Sequence, residues 1–339
     1  MATKPSRIIH VDDTMPGITR RRAGKGWAYY DPVGALIGDR AERGRLNAIA
    51  LPPAYSAAWF CPMPNGHLLA TGMDARGRKQ YRYHPEFRSW REAEKFDACH
   101  AFGLALPKLR KRVEDDLSQR GFTRERAIAS VVRLLDLGAL RIGNAAYART
   151  NKSFGATTLE RRHAEVRGPR IKLAFRGKSG KDREVALSDR ALATFVRRLH
   201  DLPGQRLFQW RDPDGTCHDV TSACVNDYLR ETMGEGFTAK HFRTFHASVK
   251  GLALLAHSKE VLPIKAVIGE VAEHLGNTPA VTRKSYIHPA VIDLVERQEE
   301  WRETLEMPRA TRWLTREERA LIALLEDGPT AEELLARAA

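Results

Sequence analysis

The sequence predicts an α+β protein: a small β-rich module over residues 1–92, a mainly α-helical domain over 93–305 with a β-hairpin inserted, and a helical extension over 306–339. Three observations carry this reading. Short aromatic runs between turn formers fill the first 90 residues, an apolar spacing of helical period begins at about Phe96, and strict alternation of apolar and polar residues appears around Leu173. At about 150 residues per domain, 339 residues leave room for roughly two domains and a sizeable core.

The aromatic runs are Gly26-Trp27-Ala28-Tyr29-Tyr30, Ala57-Ala58-Trp59-Phe60-Cys61 and Gln80-Tyr81-Arg82-Tyr83-His84, separated by turn formers such as Pro64-Asn65-Gly66 and Asp74-Ala75-Arg76-Gly77. Aromatic side chains fit a pleated, half-buried surface, and Gly, Pro, Asn and Asp bend the chain between such surfaces. Within 123–137, Ile128, Val131, Val132 and Leu135 keep i, i+3, i+4, i+7 spacing, and Gly138 stands where a helix stop is expected; the module boundary is placed near 88–96. Ile171, Leu173 and Phe175 alternate with Lys172, Ala174 and Arg176, Gly177-Lys178-Ser179-Gly180 turns the chain, and Val185 and Leu187 resume the alternation, which predicts a hairpin with Lys178 at its tip. Ser188-Asp189 then caps a helix bearing Leu192, Phe195, Val196 and Leu199. Two capping boxes, Thr315 with Glu318 and Thr330 with Glu333, flank Gly328-Pro329 and predict a small helical hairpin at the end. It reads as a cap on the core, with recruitment of a partner as the alternative.

The chain has 56 Lys+Arg against 42 Asp+Glu, a net charge of +14. Residues 291–339 hold 7 bases and 12 acids, so the first 290 residues carry +19. A surface this basic attracts a polyanion, most often nucleic acid. No apolar run approaches the roughly 20 residues of a spanning helix, and residues 1–22 lack an apolar signal core, so a soluble, cytoplasmic protein without membrane contact is expected. Cys61, Cys99, Cys217 and Cys224 are far apart and read as reduced and structural. Gly177-Lys178-Ser179 lacks the glycine a phosphate loop needs at position 172, which is Lys, and Asp212-Pro213-Asp214 reads as a turn rather than a metal site. No H-E-x-x-H, G-x-S-x-G or G-x-G-x-x-G occurs, and neither cofactor nor metal is expected.

What remains is a scattered set of bases and one tyrosine: Arg141 in Arg141-Ile142-Gly143-Asn144, Lys178, Arg243 in Lys240-His241-Phe242-Arg243, and Tyr286 in Ser285-Tyr286-Ile287-His288-Pro289. A tyrosine attacking a phosphodiester needs cations to stabilise the pentacoordinate phosphorane and an acid for the leaving oxygen. Guanidinium forks serve the first need and a lysine amid other cations the second.

Residues 141–159, from Arg141-Ile142-Gly143-Asn144 to Gly155-Ala156-Thr157-Thr158-Leu159, closely resemble the signature of type IB DNA topoisomerases of the poxvirus and bacterial kind. So does the order that follows: a hairpin lysine 37 residues later, a K-x-x-R 65 beyond it, and Gly276-Asn277-Thr278-Pro279 before Tyr286-Ile287-His288-Pro289. The resemblance spans roughly residues 20–300 and implies that Tyr286 forms a 3′-phosphotyrosyl bond, that Arg141 and Arg243 hold the scissile phosphate, and that Lys178 protonates the 5′ oxygen. Relatives commonly carry a histidine nine residues before the tyrosine; this chain has Asn277, which donates a hydrogen bond but has no useful proton to give, and His274 is the nearby substitute to consider. Gly77-Arg78-Lys79-Gln80-Tyr81-Arg82-Tyr83 resembles the family's major-groove segment, which makes Arg78, Lys79, Gln80, Tyr81 and Tyr83 candidate DNA contacts, joined by Lys240; the bland alternative puts Tyr81 and Tyr83 in a core.

The implied activity is relaxation of supercoils by strand cleavage, rotation and religation, without ATP or metal, by a monomer closing as a C-shaped clamp on double-stranded DNA in a bacterial nucleoid. A tyrosine recombinase or integrase shares this chemistry, but those enzymes usually have His three residues before the second arginine, where this chain has Lys240, and a helical rather than β-rich leading domain. A non-catalytic architectural protein would explain the charge and leave the four catalytic candidates unexplained.

Overall fold

Two antiparallel sheets organise the first of the two units into which the chain divides, Met1–Glu94 and Lys95–Ala339. The computed structural model describes residues 7–337; residues 1–6 and 338–339, at the far ends of the expected amino-terminal module and carboxy-terminal extension, lie outside the described residues. In the first unit β1 (Thr19–Ala23) pairs with β2 (Gly26–Tyr30). Helix α1 (Arg40–Ala48) follows, capped by the Asp39 carboxylate, which accepts from the Ala41 and Glu42 N–H groups. β3 (Ser56–Phe60), β4 (Leu68–Met73) and β5 (Lys79–Tyr83) form a three-stranded sheet in that order. The three predicted aromatic runs fall on β2, β3 and β5; inward side chains of β2 and β3, with Ile18, Leu46, Leu51 and Ala70, make a small core around Tyr29 and Phe60. β1 and α1 carry no periodic apolar signal, since β1 reads Thr-Arg-Arg-Arg-Ala and α1 buries Leu46 alone.

Helix α2 (Pro85–Ser118) begins eleven residues before Phe96: Phe87, Trp90 and Ala93 extend its i, i+3 apolar stripe towards the N-terminus, and Pro85 and Glu86 suit a helix start. In the second unit α3 (Arg124–Gly138) is capped by Thr123, and here the expected stop is corrected by one residue. Gly138 is still helical, packed so closely that a Cβ would lie 3.3 Å from Leu140 Cγ, and Ala139 takes the left-handed cap at φ 45°. After α4 (Ala145–Asn151), the strands β6 (Ala164–Arg167), β7 (Arg170–Arg176) and β8 (Asp182–Ser188) form a sheet; β7 and β8 are the predicted hairpin, joined by a 3₁₀ turn at Lys178–Gly180. β6, only four residues long and half polar, gave no signal.

Asp189 caps α5 (Arg190–Leu199) by accepting from Leu192 N–H at 2.8 Å, and the helix buries Leu192, Phe195, Val196 and Leu199 as its spacing requires. β9 (Gln209–Arg211) and β10 (Cys217–Asp219) make a hairpin whose turn begins at Asp212, the carbonyl accepting from Gly215 N–H and the carboxylate from Thr216 N–H. The remaining chain is helical: α6 (Ser222–Met233), α7 (Lys240–His257), α8 (Ile264–Leu275), α9 (Pro279–Ser285), α10 (Pro289–Asp293), α11 (Gln298–Thr304), α12 (Arg316–Glu326) and α13 (Ala331–Arg337). Both capping boxes form: Glu318 N–H donates to Thr315 Oγ1 at 3.2 Å and Thr315 N–H to the Glu318 carboxylate at 2.9 Å, with the same reciprocity at Thr330 and Glu333. The terminal helices are a structural cap, since α12 packs on α7 and α13 on α10, burying Leu321 and Leu334. No helix of the described residues is long and apolar enough to cross a membrane, and all four cysteines are free thiols, Cys61 and Cys99 buried.

Candidate active site

Backbone packing between two glycines fixes Arg141. Gly143 takes φ +98°, open to glycine, and Gly155 presses against it so closely that a Cβ there would stand 2.6 Å from both the Arg141 carbonyl oxygen and the Gly143 nitrogen. The segments are laced by Ala156 N–H donating to the Arg141 carbonyl at 2.8 Å and Thr157 N–H to the Ile142 carbonyl at 2.7 Å. The same strip reaches the lysine hairpin, because Phe154 N–H donates to the Arg176 carbonyl at 2.8 Å, two residues before Lys178.

Arg243 rises from the second turn of α7 and is 3% exposed. Its guanidinium donates to the carbonyls of Ala139 and, at 3.1 Å, Leu275, and at 3.2 Å to Asn277 Oδ1. Arg141 donates to the same carboxamide oxygen, so Asn277 joins the two arginines. Asn277 reaches that place because Gly276 ends α8 at φ +61°, turning the chain while Asn277 N–H donates back to the Ala272 carbonyl at 2.9 Å. Its Nδ2 is buried without a partner, as is Arg243 Nε. A buried donor left unpaired costs about 1–3 kcal/mol, and both atoms belong to groups that face an anionic ligand in the chemistry described above.

Tyr286 follows α9 directly and is half buried, its ring beneath the Arg243 guanidinium at 5.0 Å from the centroid. Burial pushes its phenol up, but Arg243, Arg141 and Lys178 together outweigh it and hold the phenol below its ordinary pKa. Burial, then the neighbouring Arg141 charge, brings Arg243 down to about 10, so it stays cationic at neutral pH. Lys178 is exposed on its turn, within electrostatic reach of the tyrosine. Arg141, Lys178, Arg243, Asn277 and Tyr286 are thus gathered at one place from sequence positions up to 145 residues apart. A tyrosine, two arginines beside it and a lysine within reach are residue types that phosphoryl transfer to a tyrosine calls for.

His274 lies in the last turn of α8, and desolvation of its ring, followed by the nearby His246, Lys250, Arg183 and Arg243, lowers its pKa. Lys240 is exposed at the first position of α7, one turn before Arg243. The other DNA-contact candidates lie in the first unit. Arg78 and Gln80 donate to the Asp74 carboxylate at 2.8 and 3.1 Å, and Lys79 pairs with Asp13 at 2.5 Å. Tyr81 and Tyr83 are 48% and 45% exposed with their rings stacked 6.0 Å apart, which removes the core alternative for them. Arg183, whose guanidinium lies over Gly276, was not among the sequence candidates; it stands in the alternating hairpin and bears no motif.

Residues 84–309 match the family model for the catalytic core of eukaryotic DNA topoisomerase I, and residues 26–74 that for the N-terminal domain of bacterial DNA topoisomerase IB. DNA topoisomerase 1B of Acanthamoeba polyphaga mimivirus is 31% identical over 301 residues, covering 85% of this chain and 90% of that protein. DNA topoisomerase 1B of vaccinia virus (strain Copenhagen) is 20% identical over 232 residues, 68% of this chain and 73% of that protein. Among solved structures, the XerH site-specific recombinase bound to palindromic difH substrate in a post-cleavage complex is 19% identical, covering 57% of this chain and 51% of that one, with a TM-score of 0.38.

Proposed function

The chain belongs to the type IB DNA topoisomerases, and from that premise we propose that Tyr286 cleaves one strand of duplex DNA by direct transesterification. The phenolate oxygen attacks the scissile phosphorus, the P–O5′ bond breaks, and Lys178 passes its proton to the departing 5′ oxygen. Arg141 and Arg243 hold the non-bridging oxygens and Asn277 Nδ2 donates to one of them, each donor being worth about 10²–10³ in rate where it meets developing charge. The observation that carries this reading is the Asn277 carboxamide shared by both arginines, with the tyrosine ring 5.0 Å under one of them.

The product is a 3′-phosphotyrosyl bond and a free 5′-hydroxyl. Because the phosphodiester energy is kept in that bond, the hydroxyl reseals the strand without ATP, and stored supercoiling drives rotation between the two steps. Guanidinium and ammonium charge does the work a divalent cation does elsewhere. The partner is double-stranded DNA in the cytoplasm, met by a monomer, with Arg78, Lys79, Gln80, Tyr81, Tyr83 and Lys240 contributing contacts; the +14 net charge supports that choice of partner.

Negatively supercoiled plasmid incubated with EDTA and no ATP is the test, with a Tyr286→Phe variant beside the native protein. The expected result is full relaxation by the native protein and none by the variant. Binding without relaxation by both would overturn the reading and turn attention to recombination between specific sites.

A further inference from the structure

Arg183 stands on β8 opposite Phe175, and its side chain spans the gap between two glycine turns. At its stem, Cγ lies 3.1 Å from where a Cβ of Gly177 would be, and Gly177 immediately precedes Lys178. At its tip the guanidinium covers Gly276, which immediately precedes Asn277; a Cβ there would fall 2.2 Å from Nη1 and 2.5 Å from Cζ, so any side chain at 276 would displace the guanidinium. Nη1 donates at 3.1 Å to the Glu273 carbonyl, which also accepts from the Gly276 N–H at 3.0 Å, and Nη2 donates to the His274 carbonyl at 3.0 Å, at the electronegative end of α8. Both forks of the guanidinium are therefore committed to main chain rather than turned toward a phosphate.

We propose that Arg183 is a positioning residue for strand transfer: wedged between the two turns, it fixes the exposed hairpin tip against the end of α8 and so sets where the Lys178 ammonium stands relative to the leaving 5′ oxygen. This rests on the reading of Lys178 as the acid. Without the wedge, the tip at Lys178–Gly180 keeps its own closure, the Gly177 N–H donating to the Lys181 carbonyl at 2.7 Å, but loses its tie to the segment that carries Asn277 and leads to Tyr286. The turn itself survives while its placement does not, and misplacement by about 1 Å costs on the order of 10²-fold in rate.

The test uses the full chain and a duplex oligonucleotide containing a cleavage site mapped on plasmid DNA, with the bridging 5′ atom either oxygen or sulfur. A thiolate, with a pKa of about 8.5, departs without a proton, so sulfur removes the need for the acid and for anything that places it. Single-turnover cleavage is measured for the native protein, Lys178→Ala, Arg183→Met and Arg183→Lys, with thermal melts of each. On oxygen, Arg183→Met is expected to be about 10²-fold slower, and Arg183→Lys slow as well, since a point charge cannot span two carbonyls; on sulfur, both return to the native rate alongside Lys178→Ala. Should the methionine variant not fold, the lysine variant carries the same comparison. Arg183 variants that stay slow on sulfur while Lys178→Ala recovers, or that are not slow on oxygen, overturn the positioning role alone. A Lys178→Ala protein that stays slow on sulfur overturns the acid assignment beneath it.

Discussion

Asn277 accepts from Arg141 and Arg243 through one carboxamide oxygen and keeps its Nδ2 buried and unpaired. An acceptor that lashes two cations together and a donor held ready for an anion are different services from one side chain, and substitution separates them. Asn277→Ala removes both and is expected to slow single-turnover cleavage about 10²-fold. Asn277→Asp keeps the acceptor but sets a carboxylate against the phosphate, and is expected to be slower than alanine; an aspartate as fast as asparagine would show that the donor plays no part. Acid sensitivity of the fold arises at other residues. Burial brings the imidazoles of His241 and His288 down to about 4 from an ordinary 6.5. Between these values the unfolded chain binds more protons than the folded one, so stability is highest above about pH 6.5 and falls as pH drops toward 4, by roughly 2 kcal/mol per histidine at pH 5. Urea unfolding at pH 7 and pH 5 measures the loss, and replacing both histidines with glutamine is expected to flatten it.

One largely buried cation ties α12 to α2 and α3. Arg110 on α2 donates to Asp136 on α3 at 2.8 and 2.9 Å and to Glu318 on α12 at 2.7 and 2.6 Å, while His246, one turn after Arg243 on α7, meets Asp136 at 3.0 Å. Burial alone would raise the Asp136 carboxyl, yet Arg110 and His246 hold it well below the usual range, and the pairing depends on all members. Glu318→Ala also breaks the α12 capping box, and is expected to cost about 3 kcal/mol, a fall in Tm of roughly 6–12 °C in a calorimeter. Unchanged melting would mean that α12 is not docked in solution. Gly103→Ala on α2 probes the same seam, where a Cβ would lie 2.7 Å from both Ile322 and Phe245; the overpacking is expected to cost about 1–3 kcal/mol. The capping boxes of this extension are readable in sequence because their rule is local, three residues wide. Arg110 and Arg183 are not, since their partners lie up to 208 and 91 residues away. For the same reason Arg141, Lys178, Arg243 and Tyr286 were found as words in order, with bonds such as that from Arg243 to the Asn277 oxygen visible only once the chain is folded.

Across the whole molecule, charge decides how the enzyme meets its substrate. The acidic residues 291–339 lower the net charge to +14 from the +19 of the first 290 residues, so attraction to DNA belongs to the part that bears the candidate contacts. Phosphate contacts made by such a surface release counterions, and a protein making about 6–10 of them loses roughly 10³–10⁵ in affinity between 50 and 200 mM salt. Steep dependence of this size is expected for the native chain on duplex DNA, followed by fluorescence anisotropy. Tyr286→Phe removes a hydroxyl and no cation, so its affinity and its slope of log K against log salt should match the native values. Arg141→Ala, by contrast, removes a charge assigned to the scissile phosphate and should flatten the slope by about 1 at any duplex sequence. A slope unchanged in Arg141→Ala would mean that Arg141 does not touch a phosphate in the bound state, and would leave the geometry around Asn277 as structure without the proposed chemistry.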